Sequence, residues 1–229
     1  MLAVIQIRSS STRLPRKALL PLAGFPMGVL VALRAMRGGV PVRMATSDDA
    51  SDDELATILT GHGLTVVRGS LSDVLGRYVK ATEDLGEDEI VVRLTADNVV
   101  PDGDFVKELV ASFEQSGLDY LGGDVPQNRM PCGVKGEAFR IATLRRAAAA
   151  ATEPYDREHV TPWMIRNTRS GVFTSNQFAE EDLASLRCTV DTKEDYDRIM
   201  SLFEGAPDPI SVRWDEVVRR LVALEPARE

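Results

Sequence analysis

From residue 3 to residue 121, short apolar runs rich in β-branched residues alternate with helical stretches. The runs cover 3–7, 40–45, 64–67, 89–94 and 118–121. The stretches between them cover about 27–37, 51–61, 72–85 and 101–116. Unbroken strand–helix alternation predicts an α/β fold, a parallel sheet with helices on both faces and right-handed crossovers. The run at 89–94 is almost continuously apolar, as expected for a strand buried on both faces. In such sheets ligands bind outside the carboxyl ends of the strands. Loops 8–17, 46–49, 68–73 and 95–101 all follow strands, so they should gather on one edge.

The second half is less regular. The alternation breaks after Gly122-Gly123, where 124–133 reads as an irregular loop with two prolines. A weak strand is expected over 134–139, an Ala-rich helix over 142–151 and a helix opening at Pro154 and running to Asn167. Further strands are expected at 172–174 and 186–190, then helices at 193–204 and 214–224. Tyr196, Ile199, Met200 and Phe203 should share one face of the first of these. Ser51, followed by Glu54, reads as the cap of the helix over 51–61. Asp102-Gly103-Asp104 reads as a helix start.

The first strand runs directly into Arg8-Ser9-Ser10-Ser11-Thr12-Arg13-Leu14-Pro15-Arg16-Lys17. Four cations in ten residues cannot enter a core unpaired. Hydroxyls, free backbone N–H groups, Arg and Lys suit phosphate oxygens. The loop therefore reads as a nucleotide-phosphate site, and its alternative is a solvated basic loop. It is neither a Walker A loop nor a G-x-G-x-x-G turn, since the first glycine of the chain is Gly24.

Against a net charge of −8 this basic loop is a local feature, and a nucleic-acid polymer is not the expected partner. No apolar run approaches the length of a membrane span. The N-terminus lacks the basic region of a signal peptide, and Cys132 and Cys188 fit no metal spacing. A cytoplasmic protein is expected. With only His62 and His159 in 229 residues, a mechanism built on several histidine ligands is excluded. His62 reads as a helix C-terminal residue. Trp163 and Trp214 read as packing anchors.

Asp97 and Asp191 both stand at strand ends. Mg²⁺ prefers one or two carboxylates together with phosphate oxygens and water. The pair can therefore hold Mg²⁺ against a nucleoside triphosphate while Arg8, Arg13 and Lys17 hold its phosphates.

These segments resemble the SpsF-like cytidylyltransferases of spore-coat polysaccharide biosynthesis, relatives of the CMP-sialic acid and CMP-Kdo synthetases. The family's opening motif, roughly Q-A-R-x-G-S-T-R-L-P-G-K, stands here as Gln6 to Lys17. Leu20 to Gly24, Ala45 to Asp48, Arg68 to Ser70, Asp73 to Leu75 with Arg77-Tyr78, and Arg93 to Asp97 follow in family order. Tyr155 to Pro162 and Thr189 to Thr192 complete the match, which spans about residues 3–200.

The resemblance implies a Rossmann-like, three-layer fold of the nucleotide-diphospho-sugar transferase type, with a mostly parallel mixed sheet in one domain over 1–229. It implies CMP transfer from CTP to an acidic sugar or similar small anionic acceptor, with Mg²⁺ and release of pyrophosphate. Arg13, Lys17 and Asp97 would be catalytic, and Asp97 and Asp191 would hold the metal. Arg8, Ser10, Ser11, Arg13, Lys17, Arg68, Ser70 and Asp73 would bind the nucleotide. Lys135 and Glu137 would face the acceptor on the 124–137 loop, within a 124–178 subregion for acceptor binding and homodimer contact. Glu158 and His159 would serve either a subunit contact or the substrate.

The chain departs from the family at Ser10 and Arg16, which replace loop glycines, at Asn98-Val99 in place of Cys-Pro, and at Lys135 in place of an acid. Lys135 would favour a more anionic acceptor. Two other readings stand beside this one: a catalytically impaired nucleotide-binding homologue, and a glycosyltransferase using a nucleotide-sugar.

Overall fold

The computed structural model describes residues 1–123 and 127–224. The chain opens with β1 (Leu2–Gln6), the small hairpin β2 (Pro21–Leu22) and β3 (Phe25–Pro26), and α1 (Met27–Ala35). β4 (Val42–Ser47), α2 (Asp53–Gly61), β5 (Thr65–Gly69), α3 (Val74–Ala81), β6 (Ile90–Thr95) and α4 (Gly103–Ser116) continue the alternation. β7 (Tyr120–Gly122), β8 (Glu137–Arg140), α5 (Ile141–Ala150), α6 (Pro154–His159), α7 (Pro162–Asn167) and β9 (Ser170–Val172) follow. The last helices are α8 (Lys193–Phe203) and α9 (Trp214–Leu224).

Among the described residues the main sheet runs β5-β4-β1-β6-β8-β7-β9. β1, β4, β5 and β6 are mutually parallel, β8 is antiparallel to β6 and β7, and β9 is parallel to β7. The sheet is therefore mixed and mostly parallel, with β1 at the centre of its parallel half.

The period of two along β1 divides the core. Ala3, Ile5 and Ile7 pack on one face against residues of α1, α4, α8 and α9. Leu2 and Val4 pack on the other against residues of α3, α5 and α7. β6 is buried along nearly its whole length, as its composition predicts. Trp214 is fully buried, with Phe105 and Phe178 edge-on at 5.4 and 5.6 Å between ring centroids.

The differences from expectation have local causes. The run at 186–190 makes only isolated bridges, Thr189 with Asn98 and Arg187 with Cys132, because β8 occupies the place beside β6. The single helix expected over 154–167 is two. Pro162 has no backbone N–H to give to a continuing helical ladder, and it stands instead at the first position of the second helix. The break is a γ-turn at Val160 (φ 70, ψ −55), closed by Thr161 N donating to His159 O at 2.8 Å.

Ser51 is not a helix cap. Asp49 caps a single 3₁₀ turn by accepting from Ser51 N, and Asp52 turns inward. Met200 lies outside the buried stripe of α8, where Leu202 is buried instead. Asp124, Val125 and Pro126, which begin the expected 124–137 acceptor loop, lie outside the described residues.

Candidate active site

The backbone leaves β1 after Ile7, whose N–H still donates to Ala45 O at 3.1 Å. Beyond it the loop hangs on one buried carboxylate. Asp52 is wholly inaccessible. Its Oδ1 accepts from Ser9 N at 2.7 Å. Its Oδ2 accepts from Thr46 Oγ1 at 3.0 Å, from Ser47 N at 3.2 Å and from the Ser47 hydroxyl. Burial alone would raise its pKa; the donors from Ser47, Ser9 and Thr46 outweigh burial and hold the carboxyl below its usual range.

Ser10 does not adopt positive φ, so losing a glycine there imposes no left-handed strain. Arg16 does, at φ 58, at a cost of about 1–2 kcal/mol. Its guanidinium meets Glu54 at 2.6 Å in an exposed ion pair.

Lys17 lies at the far end of the loop, half-buried. Its Nζ donates to Val190 O at 2.7 Å and to Asp191 Oδ1 at 3.1 Å, and stands 3.5 Å from Asp97 Oδ2. Two carboxylates from distant parts of the chain thus converge on one cation. Arg13 Nη2 adds a contact to Asp191 Oδ1 at 3.1 Å, and Arg187 Nη2 donates to Asp191 Oδ2 at 2.7 Å. Burial would raise the pKa of Asp191, and these cations, Lys17 foremost, pull it below the ordinary carboxylate range. Asp97 is aimed by a relay in which Asn98 Nδ2 donates to Thr95 Oγ1 at 3.0 Å and Thr95 Oγ1 donates to Asp97 Oδ1 at 2.5 Å. Asn98, where the family has cysteine, takes part in this relay.

Two cavities meet at this pair. A cleft of about 310 Å³ is lined by Arg8, Ser10, Ser11, Arg13, Lys17 and Asp97 among others. Asp191, Arg77, Glu158 and His159 also line it. On the other side a cavity of about 330 Å³ is lined by Arg93, Lys135, Arg187, Asp97 and Asp191 among others. Gly133 shapes its wall. Gly133 sits at φ +110, and a Cβ there would meet Thr189 N at 2.5 Å.

The sequence-derived site residues therefore divide. Arg8, Ser10, Ser11, Arg13, Lys17, Asp97 and Asp191 come together in one cleft. Arg68, Ser70 and Asp73 do not line it. Arg68 donates to Ser47 O and Asp49 O, at 2.8 and 3.0 Å, and pairs with Asp53 at 2.7 Å. Ser70 Oγ accepts from Asp73 N at 3.2 Å. Asp73 caps α3 through Gly76 N at 2.8 Å and holds Arg157 of α6 at 2.5 Å. That tie places Glu158 and His159 over the cleft.

Lys135 lines the second cavity. Glu137 is buried, accepting from Tyr120 Oη and Thr161 Oγ1 at 2.7 Å each and from the Arg93 guanidinium. Burial would raise its pKa, and the charge of Arg93 holds it down. Glu137 does not line that cavity, against the expectation that it faces the acceptor; it holds Arg93, which does.

The sequence assigned no role to Asp52 or Arg187, and Arg77 stood in it only as part of a matched segment. Arg187 lies in a run that reads as a strand, where a separation of four residues from Asp191 carries no sign of an ion pair. Nothing in Asp48-Asp49-Ala50-Ser51-Asp52-Asp53 distinguishes the one acid that turns inward.

Among the described residues no three His, Cys, Asp or Glu side chains converge as metal ligands. The donor set nevertheless fits magnesium, which takes one or two carboxylates and completes its shell with phosphate oxygens and water. Asp97 and Asp191 already face one cationic point.

The family model described as "Cytidylyltransferase" matches residues 2–211. The spore coat polysaccharide biosynthesis protein SpsF of Bacillus subtilis is 31% identical, over 96% of this chain and 93% of that protein. The 3-deoxy-manno-octulosonate cytidylyltransferase of Bradyrhizobium diazoefficiens is 31% identical, over 68% of this chain and 67% of that protein. Among solved structures, a cytidylyltransferase from Leptospira borgpetersenii superposes with a TM-score of 0.86 at 24% identity, covering 100% of this chain and 98% of that one. A CMP:2-keto-3-deoxy-manno-octonic acid synthetase complexed with CTP superposes at 0.63 and 18% identity, covering 88% and 97%. At these identities the two structures speak for the fold.

Proposed function

Because this chain belongs to the cytidylyltransferase family, we propose that it transfers CMP from CTP to a small anionic, sugar-like acceptor and releases pyrophosphate, with Mg²⁺ held by Asp97 and Asp191. The observation that carries this reading is the convergence of both carboxylates on Lys17 at the junction of two cavities. One cavity carries the basic, hydroxyl-rich loop, suited to a triphosphate. The other carries Arg93, Lys135 and Arg187, suited to an anion.

Chemically, an acceptor hydroxyl oxygen forms a bond to the α-phosphorus and gives up its proton to solvent water, while the bond from that phosphorus to the bridging oxygen breaks and pyrophosphate leaves with the electron pair. Arg8, Arg13 and Lys17 bind the phosphates and offset charge that grows on the leaving group. Lys135 and Arg187 hold the acid group of the acceptor so that its hydroxyl faces the shared wall. When bound, the metal ion would polarise phosphate oxygens as a Lewis acid. Asp97, fixed by Thr95 and Asn98, and Asp191, fixed by Arg187, keep its two protein ligands in place.

Calorimetry with CTP and Mg²⁺, followed by a pyrophosphate assay across a panel of acidic sugars, tests the reading. Binding of CTP is expected, with pyrophosphate released in the presence of at least one acid and not by Asp97→Ala. Absence of CTP binding by the parent would overturn the nucleotide assignment. Binding without turnover across the panel would favour the impaired homologue.

A further inference from the structure

Three cations line the cavity of about 330 Å³ on the acceptor side, and each comes from a different part of the fold. Arg93 projects from β6, Lys135 from the segment ahead of β8, and Arg187 from the 186–190 run. The two guanidinium groups are fixed along one edge. Arg93 Nε donates to Gln6 Oε1 at 3.1 Å and its Nη1 donates to Glu137, while its Nη2 has no acceptor among the described residues. Arg187 Nε donates to Asp195 Oδ1 at 3.2 Å and its Nη2 donates to Asp191 Oδ2 at 2.7 Å. The Nη1 of Arg187 meets Cys132 Sγ at 3.7 Å, and a thiol sulfur is a weak acceptor. Each guanidinium therefore keeps one nitrogen for a ligand, already aimed before the ligand arrives. Lys135 adds a compact charge with three rotatable donors.

We propose that the acceptor carries a doubly charged tetrahedral PO₃ group, a phosphonate or a phosphate monoester, seated on Arg93, Lys135 and Arg187. This rests on the proposed transfer of CMP to an acceptor hydroxyl; the PO₃ group is held and does not react. A carboxylate has two oxygens in one plane, and a single guanidinium fork satisfies them together. A PO₃ group has three strong acceptor oxygens splayed about phosphorus, one for each cation arriving from a separate wall. The carboxylates that share the cavity are engaged elsewhere. Asp97 and Asp191 converge on Lys17, and Asp195, behind Arg187, also accepts from Asp191 N and Thr192 N at 3.0 Å each. Among the described residues no aromatic side chain lines this cavity, so charge and hydrogen bonds have to supply its affinity. Lys135 is also the position at which the chain departs from the acid of the related sequences, a change toward positive charge on the acceptor side.

The test saturates the protein with Mg²⁺ and α,β-methylene-CTP, which fills the phosphate loop and cannot react. It then follows backbone amide resonances during titration with methylphosphonate, methyl phosphate, the monomethyl ester of methylphosphonate and acetate, at a pH where the first two carry both charges. Methylphosphonate or methyl phosphate should bind about tenfold or more tightly than acetate, and should shift the amides of Val134, Lys135 and Thr189. The monomethyl ester, of similar shape with one charge, should bind within about threefold of acetate. Whichever dianion binds more tightly identifies the source of the group. In Lys135→Gln the advantage over acetate should shrink to within about threefold, while the affinity for α,β-methylene-CTP stays that of the parent. Acetate binding as tightly as both dianions in the parent would overturn the inference, and does so even if the variant fails to fold. So would a dianion preference preserved in Lys135→Gln, shifts confined to the 8–17 loop, or binding of none of the four anions. If α,β-methylene-CTP itself does not bind, the functional reading fails, and the PO₃ seat fails with it for that separate reason.

Discussion

Asp52 joins folding to function through one side chain. It contacts no part of the cleft, yet Ser9 N and the Thr46 and Ser47 donors all end on it. An amide in its place would present an N–H₂ group to one of those donors, so Asp52→Asn should cost about 1–3 kcal/mol. The variant should also change the acid limb of stability. Because the folded-state pKa of Asp52 is depressed, its contribution is complete above the normal carboxylate range and is lost as pH falls through the folded value. Thermal melting from pH 6 to pH 3 should therefore fall less steeply in Asp52→Asn than in the parent. Parallel curves would show that the carboxylate adds nothing pH-dependent. At this scale the sequence exposed the loop cations and the two site carboxylates, because charges that no core can accept are conspicuous. It hid Asp52 and Arg77, because burial of a polar side chain depends on contacts distant in the chain.

At the scale of elements, caps decide where helices begin and what they aim. Asp102 caps α4 through Asp104 N and Phe105 N, at 2.9 and 3.0 Å, and accepts from Trp214 N at 2.9 Å and Arg37 Nη1 at 3.0 Å. The reading of Asp102-Gly103-Asp104 as a helix start thus agrees with the structure. The same cap also pins α9 to α4. Its removal in Asp102→Ala strands buried donors of three elements and should destabilise the protein by about 3–5 kcal/mol, measured by urea unfolding. A loss within the range of an ordinary surface cap, about 1 kcal/mol, would mean that the α9 contact contributes little. The break at Val160 belongs to this scale too. Pro162 was visible in the sequence. The γ-turn that directs His159 to the cleft and Thr161 to Glu137 depended on where α6 and α7 pack.

Across the whole molecule, the site joins ends of the chain that lie far apart. Lys17 meets Val190 and Asp191 across 173 and 174 residues of sequence. A ligand that grips the loop and both carboxylates ties the parallel half of the sheet to the C-terminal segment. CTP with Mg²⁺ at a hundred times its dissociation constant should raise stability by about 2.7 kcal/mol, read as a higher melting temperature. Lys17→Ala should abolish that rise, and should itself cost about 1–2 kcal/mol through its lost hydrogen bonds. Arg13→Ala, at a side chain 63% exposed, should weaken the ligand-induced rise while leaving the unliganded melting temperature near that of the parent. A full ligand-induced rise in both variants would place the triphosphate elsewhere.

Hydrophobic periodicity alone determined the parallel half of the sheet, its helices on both faces and the edge where the loops gather. Those features follow from local pattern and from the few ways such patterns can pack. The basic loop and its paired carboxylates were legible for the same reason, since their chemistry is written in residue type and spacing. Only tertiary structure decided the antiparallel place of β8, which kept 186–190 out of the sheet. It also decided the inward turn of Asp52, the saturation of Glu137 and the burial of Arg77 with its Nε unanswered. Each of these depends on which distant acceptor or donor a buried group finds, and that is settled when the chain closes on itself.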